Sequence, residues 1–218
     1  MNASTILDRL DSIINRDDYT RILGLEILNE GLRWIENEGD WSFMEILDDD
    51  QTTVDGTSSY NIPTRFKRQI SVALVDTDGN MSVLDDVRST RIDRSKPNTG
   101  TEQKPNLYDY FGGYLELIPT PNDDEWTIHQ RCYCYLADMT DATSSTNKVT
   151  EEHGELLLCI AARNILNHFE DYDAAKIWHE GAGDKKDMCF KSEWDAFLKK
   201  EGKKALPAST KRMTMRVK

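Results

Sequence analysis

The sequence has few of the features that mark secreted, disulfide-bonded or membrane-spanning chains. Only four of its 218 residues are cysteines, too few for a disulfide scaffold, so reduced thiols are expected. No run approaches the ~20 consecutive apolar residues needed to cross a bilayer. Residues 1–18 carry four aspartates and no basic, apolar leader, which argues against a secretory signal. We therefore expect a soluble protein that is made in a cytosol.

The chain does have enough apolar side chains to build a core. Hydrophobic residues make up 38% of the sequence, too large a share for a disordered protein. A length of 218 residues suits one domain, or one domain with a large insertion.

Charge is unevenly distributed along the chain. The whole sequence carries a net charge of −12, but residues 199–218 hold eight basic residues against Glu201 alone, a net +7. Residues 1–198 therefore carry −19. Such an acidic body does not suit a general nucleic-acid binder, because a DNA-binding surface must neutralise phosphates. The basic segment could bind phosphate, an acidic protein or a membrane surface, or it is simply a solvated end.

Hydrophobic spacing predicts helices at both ends of the chain. Apolar residues recur at helical spacing from Ile6 to Ile14 and again within 18–37, where Gly39 provides a stop signal. Towards the C-terminus, Thr150 is expected to cap a long helix. Further helices are predicted from about Tyr172 to the glycines at 181 and 183, and from Phe190 to Leu198.

The middle of the chain is typical of antiparallel strands. Short segments rich in β-branched and aromatic residues alternate with turn residues. Asp78-Gly79 predicts a hairpin turn, and residues 95–105 predict a long loop. The acidic clusters Asp48–Asp50 and Asp123–Glu125 are placed in turns. The predicted strands are Trp41–Leu47, Ser58–Ile62, Gln69–Val75, Asn80–Leu84, Tyr114–Ile118 and Trp126–Leu136.

These segments predict an α+β fold in four parts. Residues 1–40 supply the N-terminal helices of a bundle, and residues 138–202 supply its C-terminal helices. Residues 41–137 form a small antiparallel β domain that is inserted between them. Residues 203–218 form an extended, basic C-terminal tail.

No motif in the sequence predicts catalysis, a cofactor or a metal site. The stretch beginning at Asp76 resembles a calcium loop, but Met81 stands where an EF-hand needs glycine. Cys132 and Cys134 share one face of a predicted strand, whereas His129 points to the other, so the three do not converge on a metal. The chain is not expected to be an enzyme.

Several short strings occur in a definite order along the chain. They are Ile27–Gly31 followed by Trp34, Thr57–Pro63 followed by Phe66, Gly113–Pro121 followed by a strand, and the helix through Glu155–Arg163. In this order the chain from about Ile6 to Leu198 resembles the head-to-tail adaptor proteins of tailed bacteriophages, also called connector or head-completion proteins. No single string is diagnostic, and their shared order carries the resemblance.

The resemblance implies a structural virion protein at the neck, where a dodecameric adaptor ring joins the portal to the tail and lines part of the DNA passage. The implied partners are the portal protein, tail or nozzle proteins, further copies of the chain, and DNA that passes transiently and without specific binding. No membrane partner is implied. The alternatives are another phage tail-completion or interaction protein without catalytic activity, and an unrecognised enzyme or nucleic-acid-binding module.

The C-terminal tail is the candidate contact with the portal or a neighbouring subunit. The sixteen residues of 203–218 could span roughly 50 Å at ~3.3 Å per residue. Apolar and polar residues alternate in part over Thr210–Val217, which is compatible with a strand added to the edge of a partner's sheet. The candidate contact residues are Lys211, Arg212, Met213, Met215, Arg216, Val217 and Lys218.

Overall fold

The computed structural model describes residues 1–87, 103–181 and 189–201, and two compact units are distinguished. The helical unit comprises Met1–Met44 and the chain from Leu136 onward, and the β unit comprises Glu45–Tyr135. The predicted α+β class is confirmed. All the candidate contact residues in 211–218, and most of the predicted loop over 95–105, lie outside the described residues.

Side-chain caps determine where the helices of the helical unit begin. Its described part contains α1 (Ala3–Ile14), α2 (Arg21–Glu38), α3 (Lys148–His168), α4 (Tyr172–Glu180) and α5 (Phe190–Glu201). Asn2 and Thr20 accept N–H groups from the first turns of α1 and α2. Thr150 was predicted to be the cap of α3, but it is the third residue of that helix. The cap is Asn147, because Asn147 and Thr150 bond each other's N–H groups in a capping box.

Helix α3 lies at the centre of the helical unit. Every residue from Leu156 to Ala162 is buried, as expected for a helix that is apolar on all sides and enclosed by others. It contacts α1, α2, α4 and α5. Gly31 lets α2 approach it closely, since a Cβ atom there would lie only 3.0 Å from Cγ2 of Ile160.

Replacing Gly31 with leucine is expected to lower the free energy of unfolding by about 2 kcal/mol, because the added side chain would enter space that Ile160 fills. Urea denaturation followed by far-UV circular dichroism measures the change. Glu30→Leu, at the exposed neighbouring position, should change stability by less than ~0.5 kcal/mol. Equal losses in both variants would show that the helix contact is not the cause.

The segment that re-enters the helical unit is tied to α2. The fully buried Glu36 accepts the N–H of Leu136 at 2.5 Å and pairs with Arg33. Arg33 donates to the carbonyl of Leu136 at 2.8 Å. One helical turn earlier, Asn29 exchanges hydrogen bonds of 3.1 and 2.8 Å with the backbone of Met139. The start of the segment that leads to α3 is therefore fixed on α2.

The β unit contains two four-stranded sheets. One has the order β1-β8-β3-β4 and is antiparallel throughout, and the other has the order β2-β7-β6-β5 with β5 and β6 parallel. The strands are β1 (Glu45–Thr52), β2 (Ser59–Asn61), β3 (Phe66–Val75), β4 (Met81–Val83), β5 (Asp85–Asp86), β6 (Leu107–Phe111), β7 (Tyr114–Ile118) and β8 (Thr127–Cys134).

Alternating side chains from both sheets form one core in the β unit. Val72, Leu74 and Ile128 from the first sheet belong to the same buried cluster as Leu115 and Leu117 from the second. This alternation of inward and outward residues is expected of strands with one buried face. The predicted parity of β8 is confirmed, since the buried Sγ atoms of Cys132 and Cys134 lie 3.6 Å apart.

The hairpin between β3 and β4 confirms the prediction made from Asp78-Gly79. Val75 is opposite Met81, and Gly79 has φ +84°, a conformation that glycine adopts without strain. The carboxylate of Asp76 accepts the N–H groups of Asp78 and Asn80. These hydrogen bonds within the turn account for the aspartate that resembled a calcium ligand.

Two predictions for the β region were wrong. Trp41–Leu47 was expected to form a strand, but Ser42–Met44 form a short 3₁₀ helix and the strand begins at Glu45. Asp48–Asp50 were expected in a turn, but they lie within β1 because pairing with β8 extends the strand to Thr52. In addition, strands β5 and β6 were not predicted from the sequence.

Candidate functional site

The described structure contains the base of the predicted tail, which is helix α5. Phe197 of α5 is fully buried, with its ring centroid 4.8 Å from that of Trp41 and 5.1 Å from that of Trp194. Trp194 in turn contacts Trp34 of α2 at 4.9 Å. These aromatic contacts anchor α5 within the helical unit.

A polar cluster lies where α5 ends. Nε2 of His153 and Oε1 of Glu201 are 3.2 Å apart, and both side chains are more than nine-tenths buried. The hydroxyl of Ser42 lies 3.4 Å from the other oxygen of Glu201. Beside this pair, Lys200 bonds Glu152 at 2.6 Å. The cluster therefore ties the first turns of α3 to the last residues of α5.

His153 is held in its neutral form. Burial lowers the pKa of its imidazole, and the hydrogen bond with Glu201 opposes that shift without reversing it. A neutral imidazole can donate its Nε2 proton to the Glu201 carboxylate, which assigns the remaining ring nitrogen as an acceptor. The backbone of His153 is non-helical, with φ −135° and ψ 30°, so α3 is kinked at the residue that forms this pair.

Stability is expected to fall as the pH drops below about 6.5, the ordinary pKa of histidine. Because the folded pKa of His153 lies below that value, the unfolded chain binds more protons in this range, and acid favours unfolding. Urea midpoints between pH 7.5 and 5.5 measure the effect. His153→Gln should weaken the pH dependence, to which His179 also contributes because burial and the charge of Arg163 lower its pKa, whereas the control variant His129→Gln should retain it. An unchanged slope in His153→Gln would contradict this assignment.

The cluster also presents the donor types that bind divalent cations. The side chains of Glu152, His153 and Glu201 each place one ligand atom within 4.8 Å of the other two. A cavity of about 210 Å³ lies beside them. However, the lysines at 148 and 200 already pair with Glu152. This cluster was not predicted from the sequence, because Glu201 is 48 residues from His153 and no spacing motif connects them.

The buried thiols do not have the properties of catalytic nucleophiles. Burial raises the pKa of Cys132 and of Cys159 to about 12 each, so both thiols are protonated at neutral pH. A thiolate is the reactive form, and reactive cysteines lie in exposed, electropositive surroundings. These two cysteines act as small core residues in the described structure.

Strand β1 forms an acidic edge of the β unit. It is the outermost strand of its sheet and carries Asp48, Asp49 and Asp50 in succession. Ile46 and Leu47 precede them and are 39% and 56% exposed, respectively. An exposed strand edge can accept a further strand from another chain. Among the described residues, the outer edge of β1 therefore combines a backbone that pairs with no strand, exposed apolar surface and negative charge.

The sequence matches a known protein family. The family model described as SU10 adaptor protein matches residues 1–198. The chain belongs to the SU10 adaptor protein family. The match includes the β unit and the helical unit as far as Leu198 of α5, and it ends before the basic tail. No curated protein matches the chain.

Membership of the SU10 adaptor family confirms the predicted relationship to phage head-tail adaptors and indicates a structural, non-catalytic protein of the virion. It also implies interaction with portal and tail proteins of the phage. Within the described residues, no helix is both long and apolar enough to span a bilayer. The family match gives no role to the polar cluster at the end of α5.

Proposed function

We propose that this SU10 adaptor protein forms a ring at the neck of the virion, between the portal and the tail. The observation that carries the proposal is the family match over residues 1–198. A ring of identical subunits needs two different lateral surfaces on each copy, because head-to-tail contacts close by rotation. Twelve copies are proposed, with portal and tail or nozzle proteins on opposite sides.

The proposed ring lines part of the passage through which DNA leaves the head. The body of the protein, residues 1–198, carries a net charge of −19. Negative charge near the passage weakens adhesion of DNA phosphates, so the nucleic acid can pass without being retained. The adaptor acts here through its shape and its contacts, and the proposal requires no covalent chemistry.

The tail, residues 203–218, is proposed to make contacts with the portal or with a neighbouring subunit. The contact residues are those selected from the sequence, from Lys211 to Lys218. In support, the tail has no acidic residue and lies beyond the matched part of the chain. A basic, partly alternating segment suits pairing with an acidic sheet edge.

The test combines electron microscopy with a truncation. Purified full-length protein is mixed with assembled portal and imaged in negative stain. We expect stacks of two rings with different outlines, one of the portal and one of the adaptor. A variant lacking residues 205–218 should fail to attach to the portal while keeping the circular dichroism spectrum of the full chain. Unstacked portals with the full-length protein would contradict the proposed ring and favour another tail-completion role. Normal attachment of the truncated protein would contradict the proposed role of the tail but not the proposed ring.

A further inference from the structure

Strand β1 is the described sheet edge with the length to accept another strand. It has eight residues, whereas the other three edge strands β4, β2 and β5 have three, three and two. Its inner side pairs with β8 from Glu45 to Asp48 and again at Gln51 and Thr52, with a register shift at the two aspartates between them. Among the residues that the structure describes, no strand pairs with its outer side. Backbone N–H and C=O groups along such an edge are available for β-sheet extension.

The side chains of β1 select the charge of an added strand. Asp48, Asp49 and Asp50 form no ion pair within residues 1–87, 103–181 and 189–201. Like charges on directly opposite strands destabilise pairing, and opposite charges stabilise it. Leu47, which is 56% exposed, adds apolar surface beside the aspartates. The edge therefore repels acidic strands and favours a strand that alternates basic and apolar residues.

The C-terminal tail of the same protein has this pattern. Met213, Met215 and Val217 share one parity, while Arg216 and Lys218 share the other. The tail begins just after Glu201, and residues 203–218 can extend roughly 50 Å at ~3.3 Å per residue. An eight-residue strand takes up ~27 Å of this reach, and the remaining residues of the tail link that strand to the end of α5.

We propose that the C-terminal tail of one copy adds a strand to the β1 edge of the next copy. The inference rests on the proposed ring, because a second copy must stand beside the edge. Main-chain hydrogen bonds supply the pairing, Asp48 lies on the sheet face of the tail's basic residues, and Leu47 lies on the other face with the tail's apolar residues. Each copy then gives one tail and receives one, which makes the contact heterologous and suits ring closure.

The experiment places a photo-crosslinker on the edge in the full-length protein. Leu47→Cys is labelled with a benzophenone maleimide, which the four native cysteines escape because they are buried. This protein is mixed with ¹⁵N-labelled wild-type chains and assembled portal, irradiated and digested. Mass spectrometry is expected to find position 47 joined to residues 210–218 of ¹⁵N-labelled chains. Crosslinks to the portal, to the tail of the same chain, or to no tail at all would overturn the proposal.

Charge-swap variants test whether the contact depends on the proposed residues. K211E/R212E/R216E in the labelled chains should reduce the tail crosslink at least tenfold, and adding D48K/D49K/D50K to the probe-carrying chain should restore it. D17K/E26K/E30K, which changes three exposed acids of the helical unit, supplies the same charge change away from β1 and should not restore it. If both triple variants restored the crosslink, net charge alone would explain the effect and the proposed pairing would be wrong.

The outcome also separates this inference from the proposed function. If negative stain shows rings stacked on portals but no tail crosslink to β1, the adaptor ring stands and the strand addition is wrong. If neither stacked rings nor crosslinks form, the proposed function itself is wrong and the inference falls with it.

Discussion

Replacing Phe197 with alanine is expected to lower the free energy of unfolding by about 4 kcal/mol. This value lies within the range for replacing a large buried aromatic residue with alanine. Phe197 is fully buried, and its ring contacts those of Trp41, Trp194 and His153 at centroid distances of 4.8, 5.1 and 4.7 Å. Alanine would leave a cavity among rigid rings, which cannot collapse to fill it. The loss should therefore approach the upper part of that range.

The change is measured by urea denaturation followed by far-UV circular dichroism, with tryptophan fluorescence as a second probe of the cluster around Trp41 and Trp194. Leu198→Ala is the matched control, because this neighbour on α5 is 38% exposed and its truncation should cost less than ~1 kcal/mol. If the loss for Phe197→Ala were as small as the loss for Leu198→Ala, α5 would be only loosely attached to the helical unit.

The stability of α5 also bears on function. The helix ends at Glu201, immediately before the segment proposed to contact other proteins. Binding energy gained by the tail is transmitted to the subunit only if its base is fixed, since a mobile base lowers the effective concentration of the tail at its target. Phe197→Ala protein that stays folded at low temperature should therefore bind portal more weakly than wild type.

Helices were predictable from the sequence because their signals are local. The spacing of Ile6, Leu10 and Ile14 predicted α1, which Asn2 caps. The stop at Gly39 and the helices α4 and α5 followed from the same kind of pattern. Errors at ends arose where several capping residues compete, as with Asn147 and Thr150.

Strands were less predictable because their partners are distant in sequence. Asp48–Asp50 have low strand propensity, yet β8, about eighty residues further on, holds them in a strand. Strand β6 lacked a clear alternation, but Gly112-Gly113 was an available signal. Both glycines have positive φ, at +60° and +86°, and they join β6 to β7 in a two-residue hairpin turn.

The polar cluster of His153 and Glu201 could not be predicted at all. Neither residue belongs to a motif, and the pair forms because α3 and α5 pack together in the helical unit. Tertiary packing decides which buried polar groups meet, and a single sequence contains no record of that pairing. The same holds for Glu36, whose helical position gives no sign that it binds a backbone N–H one hundred residues away.

Replacing Glu36 with alanine is expected to lower the free energy of unfolding by about 3 kcal/mol, the second largest effect. Its carboxylate is fully buried, accepts the N–H of Leu136 and pairs with Arg33. Removing it leaves a part-buried N–H without this acceptor, at a cost of about 1–3 kcal/mol, and removes a partner of a half-buried guanidinium. Arg33 keeps its contacts with Asp138 and the Leu136 carbonyl, which limits the loss.

A comparison of two replacements at this position separates the hydrogen bond from the charge. Glu36→Gln keeps an oxygen that can accept the Leu136 N–H but removes the negative charge, so it should cost less than Glu36→Ala, by about 1 kcal/mol or more. Glu38→Ala, at an exposed position two residues later, is the control and should be nearly neutral. If Glu36→Gln and Glu36→Ala were equally destabilising, the ion pair with Arg33, and not the bond to Leu136, would hold the returning chain on α2.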